Sequence, residues 1–293
     1  VSCIENGKYE NIFVADDGLV KVNGVERAMT WMNSSVYGKP VVPRSGYIVE
    51  LNALWYNALK FVAHLAEKRN DVETIARMEK KAEEVRRAFQ EIFVNESGYL
   101  WDYVDNDIPN VEVRPNMVFA VALDFSPLDR DQQKSVLDFC TRELLTTKGL
   151  RSLTPKSGSY NPLYVGTQNQ RDWAYHQGTA WPWLGCFYME AMLKVHKRSR
   201  LSFIYRQMVG FEDEMYYHAI GTMPELFDGK HQVVPIITGG DDVVEDVTLP
   251  ESLPILSLRS SVLFPGAITP ITVGREKSIK LVRDVNSTGG LLG

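Results

Sequence analysis

Long apolar runs, paired cysteines and an excess of basic residues are all missing from this chain of 293 residues. No stretch approaches the roughly twenty apolar residues needed to span a bilayer, so a membrane partner is not expected. The opening VSCIENGKYE has neither the basic start nor the apolar centre of a secretory signal. It also begins on Val1 rather than Met, the pattern of a fragment or a processed product. The three cysteines, Cys3, Cys140 and Cys186, show neither pairing nor metal-ligand spacing. They are expected as buried free thiols in a reducing cytoplasm. Lys and Arg number 32 against 37 Asp and Glu, a net charge of −5, so no basic stripe is available for nucleic acid. The GGDD at residues 239–242 lacks the Lys and the following helix of a nucleotide site, and no cofactor is expected.

What is present is concentrated in fourteen residues, QRDWAYHQGTAWPW at 170–183. Three Trp, one Tyr, one His, an Arg-Asp pair and two amides sit there together. A hydrophobic core is better served by Leu, Ile and Val, which leave no polar atoms to satisfy. Flat apolar faces edged with donors and acceptors suit a sugar ring, whose hydroxyls need directional partners and whose C–H faces stack on aromatic rings. The competing reading is that Trp and Tyr plug helix junctions.

Most of the chain up to about residue 220 reads as helix. Leu51, Leu54, Trp55, Ala58, Val62 and Leu65 recur at helical steps and predict a helix over residues 49–68. Ile75, Glu79, Ala82, Val85, Phe89 and Ile92 predict a second over 72–93, antiparallel to the first across Asn70-Asp71. Pro115 starts a third through Leu123. A fourth covers 129–146, with Val136, Phe139, Cys140 and Leu144 inward and Gly149 as its stop. Residues 150–171 have no periodicity and read as a long functional loop. Helices resume over 174–197 and 201–217. Paired helices joined by short turns and long decorated loops point to a mainly α fold, an α/α toroid of hairpins.

The composition changes near Ile236. Residues 237–251 are acidic and non-periodic, and beyond them LPILSLRSSVLFPGAITPITVGREKSI has the alternation of strands punctuated by Pro. The expected organisation is a helical domain over 1–235, an acidic linker over 236–251 and a short β-rich segment over 252–293.

TWMN at 30–33, GKPVVPRSGYIVELNALWYNAL, EVRPNMVFAVALDFSPL, GLRSLTP, YVGTQNQRDWAYHQGTAWPW and GTMPELFDG follow one another across residues 17–229. Together they resemble the glycoside hydrolase domain of bacterial and archaeal glycogen debranching enzymes. The resemblance implies an (α/α)₆ barrel related to glucoamylases that hydrolyses α-1,6-linked glucosyl stubs. Six hairpins need twelve helices and only about six or seven are legible, so the toroid is expected to be incomplete. The tail from about residue 249 resembles instead the N-terminal domain of Lon-type ATP-dependent proteases, which implies protein contacts through that segment.

Glycoside hydrolysis with inversion needs one carboxylic acid for the leaving oxygen and one carboxylate to activate water, roughly 6.5–9.5 Å apart. Glu225, in PELFDG, matches the position of the general base in the related glucoamylases. Asp228 is expected to orient that loop. At the general-acid position the family motif reads Trp-Met-Asp, whereas this chain has Asn33, whose amide cannot deliver a proton at neutral pH. Glu50 is the nearest substitute by sequence, and its competing role is to bind sugar hydroxyls. Trp31, Trp55 and Tyr56 are candidate stacking surfaces, one of the last two having to face the barrel core, and Trp181 is a further candidate substrate contact. Arg44, Arg114 and Asn116 are candidate donors or structural buttresses. Arg171 and Asp172 either bind hydroxyls or pair with one another, and His176 and Gln177 suit hydroxyl recognition. His176 has no second His or Cys at ligand spacing, so no metal is expected.

The expected ligand is therefore an α-glucan or malto-oligosaccharide, and the expected compartment is the cytoplasm. The seam gives a first prediction. Limited proteolysis should cut first between Thr238 and Glu251. Protection of that stretch, with cuts inside the helical region instead, would contradict the division into two segments.

Overall fold

The computed structural model describes residues 1–212, 214–217 and 221–230. The chain divides into a compact unit over Val1–Val233 and a second over Val234–Gly293. The expected linker at 236–251 and the β-rich tail at 252–293 lie outside the described residues.

Nine helices and ten short strands are found among the described residues. The helices are α1 (Ser2–Glu5), α2 (Val49–Glu67), α3 (Val72–Phe93), α4 (Phe119–Ala122), α5 (Arg130–Glu143), α6 (Gln168–Ala174), α7 (Pro182–His196), α8 (Leu201–Val209) and α9 (Glu214–Tyr217). The first unit is thus helix-rich, but it also carries three small antiparallel sheets that the helical reading of the sequence did not anticipate. A five-stranded sheet takes β1 (Ile12–Val14), β2 (Val20–Val22), β5 (Gly46–Ile48), β6 (Tyr103–Asp105) and β7 (Ile108–Pro109) in that spatial order. β3 (Ser35–Val36) and β4 (Lys39–Pro40) form a hairpin. β8 (Leu145–Thr146), β9 (Gly149–Arg151) and β10 (Ala180–Trp181) form the third sheet. Strands of two or three residues are too short to show an alternation, so hydrophobic spacing carries no sign of them.

The α2–α3 hairpin forms where the periodicity puts it. Asn70 takes a left-handed turn, and the Asp71 side chain accepts the Thr74 N–H at 3.0 Å to cap α3. The inward face of α2 differs from the expected one. Val49, Ala53, Tyr56, Leu59 and Ala63 are buried, whereas Leu54 is 43 % exposed and Leu65 is exposed with it. α2 is apolar on two sides, so hydrophobic spacing alone could not choose between them. Asn52 decides the register of its first turn. Its amide oxygen accepts Val20 N–H at 2.7 Å, and its NH2 donates to Val20 and Ile48 carbonyls, each at 3.0 Å. One buried side chain therefore pins β2 to the start of α2.

Four further boundaries move. The helix starting at Pro115 begins as a 3-10 turn, Pro115–Val118, and continues as the fully buried α4. α5 is shorter than expected, because Leu145–Thr146 leaves it to pair with β9. Gly149 is accordingly not a helix stop. It lies in β9 with φ +111°, where a Cβ would run into the Trp181 carbonyl. Residues 175–181 break what was expected as one helix from 174, and α7 starts at Pro182. The α8–α9 pair replaces a single helix over 201–217, interrupted after Val209. Cys140 is buried, and burial pushes its thiol up to about 12. Cys3 and Cys186 are exposed, so the expectation of three buried thiols fails for two of them. No helix among the described residues is long and apolar enough to cross a membrane.

Candidate active site

The loop after β2 carries Trp31 and Asn33 onto a cluster of rings supplied by the chain around α6 and β10. Trp31 meets His176 at 5.0 Å, Trp181 at 5.2 Å and Trp183 at 5.0 Å between ring centres, each edge to face. His176 stacks on Trp181 at 5.1 Å and touches Tyr175 at 4.7 Å. Edge-to-face and offset geometries are the favourable ones for aromatic rings, so the cluster holds itself rigid.

Two exposed polar groups hang from this cluster. The Asn33 backbone N–H donates to His176 Nε2 at 3.1 Å, leaving the carboxamide at the surface. At the other end Tyr175 OH donates to Glu225 Oε2 at 2.6 Å. Burial, then the Glu225 carboxylate, raises the Tyr175 phenol above its ordinary value. The Glu225 segment is fixed by reciprocal backbone bonds between Phe227 and Ala180, both 2.8 Å. Asp228 accepts the Tyr164 N–H at 2.9 Å and so ties this loop to the preceding one. Contacts thus run Asn33–His176–Tyr175–Glu225 without interruption.

Beneath the rings lies a buried ionic network. Arg44, 2 % exposed, donates from Nε to Asp102 Oδ2 at 2.8 Å and from Nη2 to Asp102 Oδ1 at 2.9 Å. Its Nη1 and Nη2 also reach the two oxygens of Glu50, the latter at 2.7 Å. Burial pulls the guanidinium pKa down, but Asp102 and Glu50 outweigh it and the net shift is upward. Asn116 Nδ2 donates to Asp102 Oδ1 at 2.7 Å, while its Oδ1 accepts Trp31 Nε1 at 2.8 Å. The floor is therefore wired to Trp31. Arg114 forms a second buttress. It donates to Glu112, to Gln177 Oε1 at 2.8 Å, and to the His176 and Ser152 carbonyls.

Several sequence expectations change here. Glu50 is 3 % exposed with both oxygens engaged by Arg44, so as a substitute proton donor it faces a guanidinium rather than a cleft. Arg44, Arg114 and Asn116 spend their donors inside the protein and are buttresses, not sugar contacts. Trp55 is buried in the core with Nε1 bonded to the Gly18 carbonyl at 3.0 Å, away from the ring cluster. Arg171 and Asp172 do not pair with one another. Arg171 binds the Gly166 carbonyl and Gln168, and Asp172 accepts from Gln168 Nε2 at 2.8 Å. His176 is 1 % exposed and its Nε2 is occupied, so it holds the Asn33 loop instead of meeting solvent. Asp102 and Tyr175 are the important residues that the sequence did not single out. Asp102 belongs to no motif, and Tyr175 was only one aromatic among several. Among the described residues no cluster of His, Cys, Asp and Glu is placed to hold a metal.

Because Nε2 accepts the hydrogen bond from the Asn33 backbone N–H, His176 is the neutral Nδ1–H tautomer, and Nδ1 has no hydrogen-bond partner among the described residues. Burial, with Arg114 and Arg44 nearby, lowers its pKa to about 3. An unfolded imidazole titrates near about 6.5. Above that pH neither state binds the proton and the full stability is present. Below it the unfolded chain takes up a proton that the fold refuses, down to the folded value. Stability should therefore fall by about 1.4 kcal/mol per pH unit through this window on account of His176. His176→Gln should remove that slope in thermal melts compared across pH, and parallel pH profiles for the two proteins would contradict the assignment.

Comparison with known proteins places two families on the chain. The family model described as Amylo-alpha-1,6-glucosidase matches residues 3–238, and the ATP-dependent protease La (LON) substrate-binding domain matches residues 252–292. A glycogen debranching enzyme of Saccharomyces cerevisiae is 24 % identical over 282 residues, covering 78 % of this chain and 18 % of that protein. A Lon protease of Flavobacterium johnsoniae is 44 % identical over 84 residues, covering 27 % of this chain and 10 % of that protein. The chain thus spans less than a fifth of either relative. Neutral trehalase Nth1 from Saccharomyces cerevisiae superposes with a TM-score of 0.50 at 16 % identity, over 68 % of this chain and 37 % of that one, a likeness of fold.

Proposed function

Residues 3–238 make this chain a member of the amylo-alpha-1,6-glucosidase family, and from that premise we propose that its first unit is part of an (α/α)₆ toroid acting on α-1,6-linked glucosyl stubs of glycogen-like glucans. The observation that carries this reading is the pair of exposed groups, Asn33 and Glu225, fixed at the two ends of one chain of aromatic contacts. Glu225 is the general base. Its carboxylate is oriented by the Tyr175 hydroxyl and stays open to water that would attack from the face opposite the leaving group.

The leaving oxygen needs a proton, and here the site is short. Asn33 occupies the acid position with a carboxamide that offers a hydrogen bond but no acidic proton. Glu50, locked to Arg44, does not substitute for it. Binding is intact on this account and turnover is slow. The same carboxamide favours a second reading, a glucan-binding module without turnover. The segment at 252–292, matching the Lon substrate-binding domain, would contact protein substrates.

Release of glucose from a substrate with single-glucose α-1,6 stubs separates the readings. Asn33→Asp should raise the rate by about 10²–10⁴, the usual worth of general acid catalysis. Glu225→Gln in that background should abolish the gain while leaving binding within a few-fold. A chain that is already fast, that Asn33→Asp leaves unchanged and that Glu50→Gln stops without unfolding would transfer the acid role to Glu50.

A further inference from the structure

The β3–β4 hairpin beside Asn33 has a two-residue loop, Tyr37-Gly38, because Val36 pairs directly with Lys39. Both loop residues have positive φ, 52° for Tyr37 and 77° for Gly38, the signature of a type I′ turn. Asn, Asp or Gly ordinarily takes the first of these positions, since a Cβ is strained there and a bulky ring gains nothing from it. Tyr37 is nevertheless 87 % exposed, so its ring contributes little to packing. A strained, exposed aromatic residue at a tight turn needs a reason outside folding.

The second ring comes from α6. Asn169 Nδ2 donates to Tyr37 OH at 3.3 Å, and Ser34 Oγ donates to the Asp172 carbonyl at 2.5 Å. These two bonds latch the helix to the hairpin. Trp173 lies four residues after Asn169, on the same helical face and about one turn along it. It is 51 % exposed, while Trp181, in the same sequence motif, is buried. Gln168, Asn169 and Asp172 supply amide and carboxylate groups on the same helix, Asn169 bonded to Tyr37 and Gln168 to Asp172. Ser34 is buried at this latch, and its chain neighbour Asn33 is exposed.

We infer that Tyr37 and Trp173 form a stacking platform for the glucan chain leading away from the Asn33–Glu225 site, engaging sugar units beyond those held at the site itself. The inference rests on the glucan reading of that site and adds the length of ligand that it takes. Two exposed rings, carried by a hairpin and a helix that the Asn169–Tyr37 and Ser34–Asp172 hydrogen bonds hold together, with short polar side chains on the same helix, match the alternating apolar faces and hydroxyl edges of a linear α-glucan.

Titration of the intact chain with maltotriose and with maltoheptaose tests it. Trp173→Gln and Tyr37→Asn should each weaken maltoheptaose binding about five- to tenfold and leave maltotriose within about twofold. Tyr37→Asn should also raise the melting temperature, because Asn relieves the strained turn. Better folding with weaker long-chain binding is a combination that structural damage does not produce. An unchanged ratio of the two affinities, with maltotriose still bound, overturns the platform and leaves the glucan reading standing. Failure of the folded parent chain to bind either sugar removes both. Loss of self-association in sedimentation without any change in sugar affinity would make this face a contact between copies of the chain instead.

Discussion

One guanidinium organises the first unit. Arg44 is buried between the carboxylates of Glu50 and Asp102, which belong to α2 and to the chain just before β6. A buried charge without partners is prohibitively costly, whereas removing one member of an existing buried pair commonly costs about 3–5 kcal/mol. The arrangement therefore admits little slack. It fixes the start of α2 relative to β6, and through Asn116 it orients the indole of Trp31. Everything at the surface of the candidate site stands on that floor: Trp31 braces His176 and Trp181, and His176 holds the Asn33 backbone.

The site thereby separates into layers with different chemistry. Charged groups lie underneath, fully paired, and supply rigidity. Aromatic rings form the middle, with polar atoms satisfied by neighbours except for His176 Nδ1. Only a few groups reach the solvent with capacity to spare, Asn33 and Glu225 foremost among them. Such a division is what a sugar site requires, because a sugar offers no charge to neutralise and is recognised by rigid apolar faces and directional hydrogen bonds. On the proposed function, a single side-chain difference would govern what the site does with a bound glucan. Replacing a carboxylic acid by a carboxamide keeps nearly the same shape and hydrogen bonding but removes the transferable proton.

The helices were legible where hydrophobic spacing ran for many turns, as in the α2–α3 hairpin, whereas the capping roles of Asp71 and Asp129 emerge only in the structure. The sheets were not legible, since their strands are held by backbone partners far away in sequence and are too brief to carry a pattern. The face of α2 was misread because Leu54 and Leu65 lie on a second apolar stripe. At the site, the residue types were readable and their depths were not. Trp55 and Trp31 are both tryptophans at helical or loop positions, yet one is bonded to Gly18 in the core and the other crowns the ring cluster. Arg44 carried no sequence sign of the two acids it meets, one of them 58 residues away. Burial of a polar residue depends on where its partner folds, which spacing along the chain does not encode.

The central proposal is that Asn33 and Glu225 flank one glucan-binding cleft set on the ring cluster of Trp31, His176 and Tyr175. A crystal structure of the chain soaked with a malto-oligosaccharide bearing a single α-1,6-linked glucose tests it most directly. The account predicts the terminal glucose against this ring cluster, the Asn33 amide within hydrogen-bond distance of the glycosidic oxygen, and an ordered water on Glu225 beneath the anomeric carbon. A sugar bound elsewhere with this cleft empty, or a glycosidic oxygen turned away from Asn33, would contradict it.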